Sequence, residues 1–117
     1  MRWLSLKFGG QKWTVDLVKS NHKALRDGDK SCHGVTLYDA CKIYIAKEQS
    51  ETVLEDTLLH ELLHAALYVS RGHQKIHDLC ADDQKAEDVE EAIVEGLVLV
   101  LHPLLKEMGF KFPKVNQ

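Results

Sequence analysis

The sequence predicts an α+β domain: a small antiparallel β-sheet built from N-terminal hairpins, packed against two long helices. Three observations carry this. The first 46 residues alternate apolar and polar residues in short runs broken by Gly-Gly and Asp-Ala turns. Residues after Ser50 repeat apolar side chains at helical intervals. The chain has 117 residues, 44% apolar and 28% charged, enough for one modest core and too short for a second domain.

In order along the chain, Trp3–Phe8, Gly9-Gly10 and Trp13–Val18 read as a hairpin with a glycine turn. Asn21–His33, with Asp27-Gly28-Asp29, reads as a polar loop. Val35–Tyr38, Asp39-Ala40 and Cys41–Ala46 read as a second hairpin, in which Lys42, Tyr44 and Ala46 alternate with Cys41, Ile43 and Ile45. Ser50 or Thr52 can cap a helix that runs to Val69, with Gly72 as its stop. Residues 73–86 are polar, with a weak helical pattern at His73–Cys80. A second helix is expected from Glu87 to Met108, kinked or split at Pro103.

The net charge is −3, which argues against a strongly basic nucleic-acid binder. The balance is uneven: residues 1–50 carry +4 and the remainder −7. Cys32, Cys41 and Cys80 form no CxxC pair and suit a reducing compartment. No secretory signal is legible, and the longest apolar tract, Gly96–Leu105, is interrupted by His102 and Pro103. The expectation is a cytoplasmic chain, with no membrane partner.

The residues with chemistry are His60-Glu61-Leu62-Leu63-His64, an HExxH within an apolar helix. Two histidines four apart share one helix face and can converge on one zinc ion, while Glu61 reaches a bound water as general base. A third ligand is required. The HExxHxxGxxH pattern fails, because position 67 is Leu and position 70 is Ser. Glu91 on the second helix is the candidate third ligand. Glu95, one turn on and bracketed by Ile93, Val94, Leu97 and Val98, is the candidate carboxylate that orients His60 or His64. Gly96 reads as a place where two helices approach closely. Tyr68, one turn beyond His64, is the candidate oxyanion stabiliser. His22, His33, His73, His77 and His102 have no assigned role at this level, nor do the cysteines.

HExxH followed by Glu91-Ala92-Ile93-Val94-Glu95 resembles the gluzincin zinc peptidases, whose second motif is ExxxD. The wider pattern, from Lys42-Ile43-Tyr44-Ile45 through the HExxH helix to the final apolar helix, is similar to small phage-encoded and ImmA/IrrE-like metallopeptidases. That resemblance implies a minimal zinc peptidase acting on a protein or peptide, in the host cytoplasm if phage-encoded. It also implies that the strand Lys42–Ala46 is an edge able to pair with substrate. A rival resemblance is to SprT-like proteases, which share HExxH followed by Ala and take a third His from a later Gly-His segment. Gly72-His73 resembles that segment, and this reading implies a nucleic-acid-associated protease using His73. A third reading is a regulatory protein that keeps the fold and acts by binding a partner. The presence of Glu61 favours an enzyme, since a binding protein has no need of a general base.

Overall fold

The computed structural model describes residues 1–27 and 30–115, so Gly28 and Asp29 of the polar loop lie outside the described residues. Strands β1 (Arg2–Phe8) and β2 (Gln11–Val18) form the first hairpin. Gly9 and Gly10 take φ of 59° and 76°, the left-handed pair that a two-residue hairpin turn needs. The loop after β2 holds a short 3-10 turn, Lys23–Leu25, and a two-stranded ribbon of β3 (Arg26–Asp27) and β4 (Lys30–Ser31). Strands β5 (Gly34–Leu37) and β6 (Lys42–Ala46) form the second hairpin.

The main sheet has the order β1-β2-β6-β5, and its central pair, β2 and β6, runs parallel. Both hairpins are antiparallel as expected, but they join through their inner strands, which makes the sheet mixed. The physical reason is burial. Trp13, Val15 and Leu17 of β2 and Ile43 and Ile45 of β6 are 0–2% exposed, so the two most apolar strands lie side by side under the helices. This corrects one expectation: Lys42–Ala46 is an interior strand, and the edge beside the helices is β5.

Three helices follow: α1 (Glu51–Val69), α2 (Gly72–Leu79) and α3 (Asp83–Glu107). Ser50 caps α1 through Val53 N–H, and Asp82 caps α3 through Lys85 N–H. The end of α1 differs from expectation. Arg71, not Gly72, takes the left-handed conformation, and Gly72 opens α2. A Cβ on Gly72 would sit 2.8 Å from Leu67 Cδ2, so glycine there serves close packing. Nor does Pro103 split α3; it is exposed, so the Leu99 carbonyl that loses its N–H partner is within reach of water. No helix is long and apolar enough to cross a membrane among the described residues.

The core lies between the sheet and α1, where Leu58 and Ala65 meet Trp13, Val15, Ile43 and Ile45, and Phe112 closes one end. On its other side α1 meets α3 through polar groups. Glu55, 6% exposed, takes His102 Nε2 at 2.9 Å and Lys106 Nζ at 2.8 Å, and Asp56 takes His102 Nδ1 at 2.7 Å. Burial opposes ionisation of Glu55, but the bonds from Lys106 and His102 outweigh it and hold its carboxyl below the ordinary range. The folded state therefore binds this proton less readily than the unfolded chain. The stabilisation is full above the unfolded carboxylate pKa of about 4.3 and is lost as pH falls through the lower folded value. Chemical denaturation across this range should show Glu55→Gln with a shallower acid-side loss of stability than the wild type. At neutral pH it should also be less stable, by about 1–3 kcal/mol, because Lys106 and His102 lose their counter-charge.

Candidate metal centre

The apolar helix α1 presents His60 and His64 on the face toward α3, and α3 returns Glu91 to meet them. His60 Nε2 and His64 Nε2 are 3.3 Å apart. The Glu91 carboxylate is 2.8 Å from His60 Nε2 through one oxygen and 3.1 Å from His64 Nε2 through the other. One donor atom from each of these three side chains lies within 4.8 Å of the others.

The chemistry of this donor set fits zinc. His64 directs Nδ1 at the Glu90 carboxylate, 2.6 Å away, and a carboxylate can only accept, so Nδ1 carries the proton. In the neutral ring, Nε2 then turns a lone pair toward the His60 nitrogen and a Glu91 oxygen. Lone pairs converging this closely require a proton or a cation between them. Atoms about 2.1 Å from a shared tetrahedral ion stand about 3.4 Å apart, close to the 3.3 Å between the two Nε2 atoms. Two imidazoles and a carboxylate with an open side are the ligands of a catalytic zinc rather than a closed structural one.

The open side faces a cleft of about 820 Å³ that includes Gly34, Thr36, Tyr38, Glu61, Asp88 and Glu91 in its walls. Glu61 is 7% exposed. Burial pushes its carboxyl above the ordinary range, against the opposing effect of a hydrogen bond from Thr36. Thr36 Oγ1 lies 2.8 Å from Glu61 Oε1 and 3.2 Å from the Glu61 carbonyl. Gly34 explains how β5 comes so near: a Cβ there would stand 2.8 Å from Thr57 Cγ2 and 3.1 Å from Glu61 Cγ. The strand therefore presses on α1 at Glu61 itself.

Behind the ligands sits Glu90, 4% exposed. It accepts from His64 Nδ1 and His73 Nδ1, each at 2.6 Å, and from the Tyr38 hydroxyl at 3.3 Å. Burial opposes its charge, but the two histidines prevail and its carboxyl stays below the ordinary range. Tyr38 moves the opposite way: burial and the carboxylates Glu90, Glu61 and Glu91 keep its phenol protonated, an O–H donor in the cleft wall.

The structure thus brings together His60, His64, Glu61 and Glu91; Glu95 lines an open hollow beside His60 but bonds to neither histidine, and Tyr68 lies apart. Glu95 is exposed, and the carboxylate on the His64 ring is Glu90. Glu95 lies 100° further round the helix from Val94, which points into the core, so the apolar residues beside it in sequence do not bury it. Tyr68 stacks on Tyr38 at 4.9 Å and lines a different hollow, beside Gly9, Gln11 and Arg71. The tyrosine in the cleft is Tyr38. Gly96 meets no close helix within the chain, since a Cβ there would find nothing within 4 Å. Sequence reasoning missed Thr36, Tyr38 and Glu90. For Glu90 a signal existed, since Glu90 precedes Glu91 and sits four residues before Val94, on the core stripe of α3.

These positions predict that Glu90→Ala weakens zinc binding by about 10–100-fold, as removal of a ligand's hydrogen-bond partner commonly does. Glu95→Ala should bind as the wild type does. Competition against a chromogenic chelator measures both, and equal affinities for the two variants would contradict the assignment.

Among known protein families, residues 8–81 match the SprT-like family. No curated protein and no solved structure gives a match. The match covers more than half of the chain and includes strands β2 to β6, HExxH and Gly72-His73, but it begins at the last residue of β1 and stops short of Glu91. It corrects the preferred resemblance, since nothing found points to ImmA/IrrE-like proteins and the family is the one held as the rival. With HExxH in the middle of α1 and the match running from the start of β2 through the first two helices, this chain belongs to the SprT-like family of zinc metallopeptidase-like domains.

Proposed function

We propose that this protein is a zinc-dependent peptidase in which His60, His64 and Glu91 hold the metal and Glu61 is the general base. The observation that carries the reading is the convergence of three ligand atoms beside a buried, hydrogen-bonded Glu61 at the floor of an open cleft. When bound, zinc would acidify a water and polarise a carbonyl oxygen. Glu61 takes the proton from the attacking water and passes it to the departing amine. Thr36 holds the carboxylate in place, so the base spends no time in unproductive rotamers. The Tyr38 hydroxyl is the donor best sited to take up charge on the carbonyl oxygen if it leaves Glu90. The substrate is a peptide in extended form. Strand β5 pairs with β6 alone among the described strands, so its other edge offers main-chain groups beside the cleft.

One observation favours a second ligand set. The family match includes His73 and ends before Glu91, and the SprT-like pattern draws its third ligand from a Gly-His segment. Here His73 Nδ1 is turned to Glu90 at 2.6 Å, on the far side of that carboxylate from the His60–His64–Glu91 cluster. Zinc content of the purified variants separates the two. Glu91→Ala should lose the metal, while His73→Ala should retain it with weaker affinity; the reverse pattern would assign the third ligand to His73. Glu61→Gln should keep full zinc and lose hydrolysis of a generic labelled protein substrate by at least about 10²-fold. Thr36→Val should lower kcat with little change in KM, and Thr36→Ser should restore it. Equal activity of Glu61→Gln and wild type would point instead to a protein that works by binding.

A further inference from the structure

We propose that the hollow behind His60 is a side-chain subsite of the same centre, that it takes a lysine or arginine next to the scissile bond, and that Glu95 selects that residue. The inference rests on the peptidase reading above. His60 is the one residue common to the walls of this hollow and of the cleft. Its Nε2 faces His64 Nε2 at 3.3 Å and Glu91 at 2.8 Å. A group lodged on the hollow side of His60 is therefore one imidazole away from the three converging ligand atoms.

The hollow measures about 380 Å³, room for one long side chain. Its apolar part is Val98, Leu99 and Pro103, of which Leu99 is 78% exposed. Its polar part includes two carboxylates that are not equivalent. Asp56 is engaged, since its Oδ1 takes His102 Nδ1 at 2.7 Å, and the other nitrogen of His102 is held by Glu55 at 2.9 Å. Glu95 makes no hydrogen bond or ion pair among the described residues. One turn before it on α3 stands Glu91, a like charge that disfavours the helix, and one turn after it stands Leu99. Neither the hollow nor the cleft has a lysine or arginine in its lining, and the cleft adds Asp88 on its own side. A cation arriving from outside is what this surface lacks. The side chains of lysine and arginine match it in both parts: their methylenes cover apolar surface while the charged head stays among polar groups. An apolar side chain leaves Glu95 without a partner, and an acidic one meets a like charge. A short side chain does not reach past the ring of His60.

Binding and cleavage test this separately. The probes are two fluorescein-labelled decapeptides of alternating Thr and Ala around one central residue. That residue is arginine in one and citrulline, its uncharged analogue, in the other. Zinc-loaded Glu61→Gln should hold the arginine peptide about threefold to tenfold tighter by fluorescence anisotropy at low ionic strength, and the ratio should shrink as salt rises. Adding Glu95→Gln should bring the ratio to about one, and adding Glu95→Lys should bring it below one. Glu87→Gln, an acid of the same helix outside both linings, should leave the ratio in place. Zinc content and far-UV circular dichroism establish that each variant is folded and loaded. In the wild type, mass-spectrometric mapping of cuts in denatured casein should show lysine and arginine enriched at one position beside the scissile bond, and Glu95→Lys should abolish the enrichment. Equal affinity for the two peptides, or no binding of either, overturns the subsite, as does an equal loss of preference in Glu87→Gln and Glu95→Gln. Casein cleavage by the wild type in that case leaves the peptidase reading standing. An arginine preference in binding without any cleavage by the wild type does the reverse: it supports the subsite and sinks the peptidase reading.

Discussion

The buried carboxylate of Glu90 is the constraint on which the centre of this protein depends. A charge at 4% exposure is tolerated only when its lone pairs are used, and here three neighbours use them: His64 from α1, His73 from α2 and Tyr38 from the turn between β5 and β6. One side chain therefore joins all three helices to the sheet. It also decides the chemistry of His64. Because Nδ1 is committed to Glu90, the nitrogen facing Glu91 and His60 is the one with a free lone pair. The fold and the ligand geometry rest on the same carboxylate.

A division of labour along α1 follows. The side toward the sheet is apolar and ordinary, with Leu58 and Ala65 in the core. The side toward α3 carries polar groups at two levels, Glu55 with Lys106 and His102 at one and His60 and His64 with Glu90 and Glu91 at the other, while Val94 and Val98, between these levels along α3, are buried. Helix α3 is thus held to α1 by polar pairs at two levels, about two and a half turns apart along α1 from Glu55 to His64. This arrangement also places five of the seven histidines. His64 and His60 face Glu91, His73 supports Glu90, His102 bridges Glu55 and Asp56, and His22 caps the 3-10 turn by accepting from Ala24 N–H. Two of these belong to the candidate metal centre, two more pair with carboxylates of the acidic C-terminal half, and His22 serves only the local turn.

Much of the fold was legible before the structure. The hairpins follow from period-two alternation and the Gly9-Gly10 turn, and α1 from its cap at Ser50 and its helical period. HExxH carries its own geometry, because four residues are one turn. What was illegible concerns neighbours that are distant in the chain. Nothing local says that β2 and β6 lie side by side in parallel, or that β5 is the strand against α1. For that reason the contact between Thr36 and Glu61, across 25 residues, was invisible. The burial expected of Glu95 failed for a related reason. Apolar sequence neighbours of Glu95 suggested burial, but only the rotation of α3 about its axis decides which carboxylate points inward.

By itself, then, the sequence determined the α+β class, the HExxH pair on one helix face and the Glu61 carboxylate beside it, since each depends on local periodicity. Tertiary structure alone decided that Glu91 meets the two histidines, that Glu90 lies behind them and that Tyr38 rather than Tyr68 faces the cleft. Those outcomes depend on the register between α1 and α3 and on the approach of β5, which is set by the summed packing of the core and not by any residue's immediate neighbours.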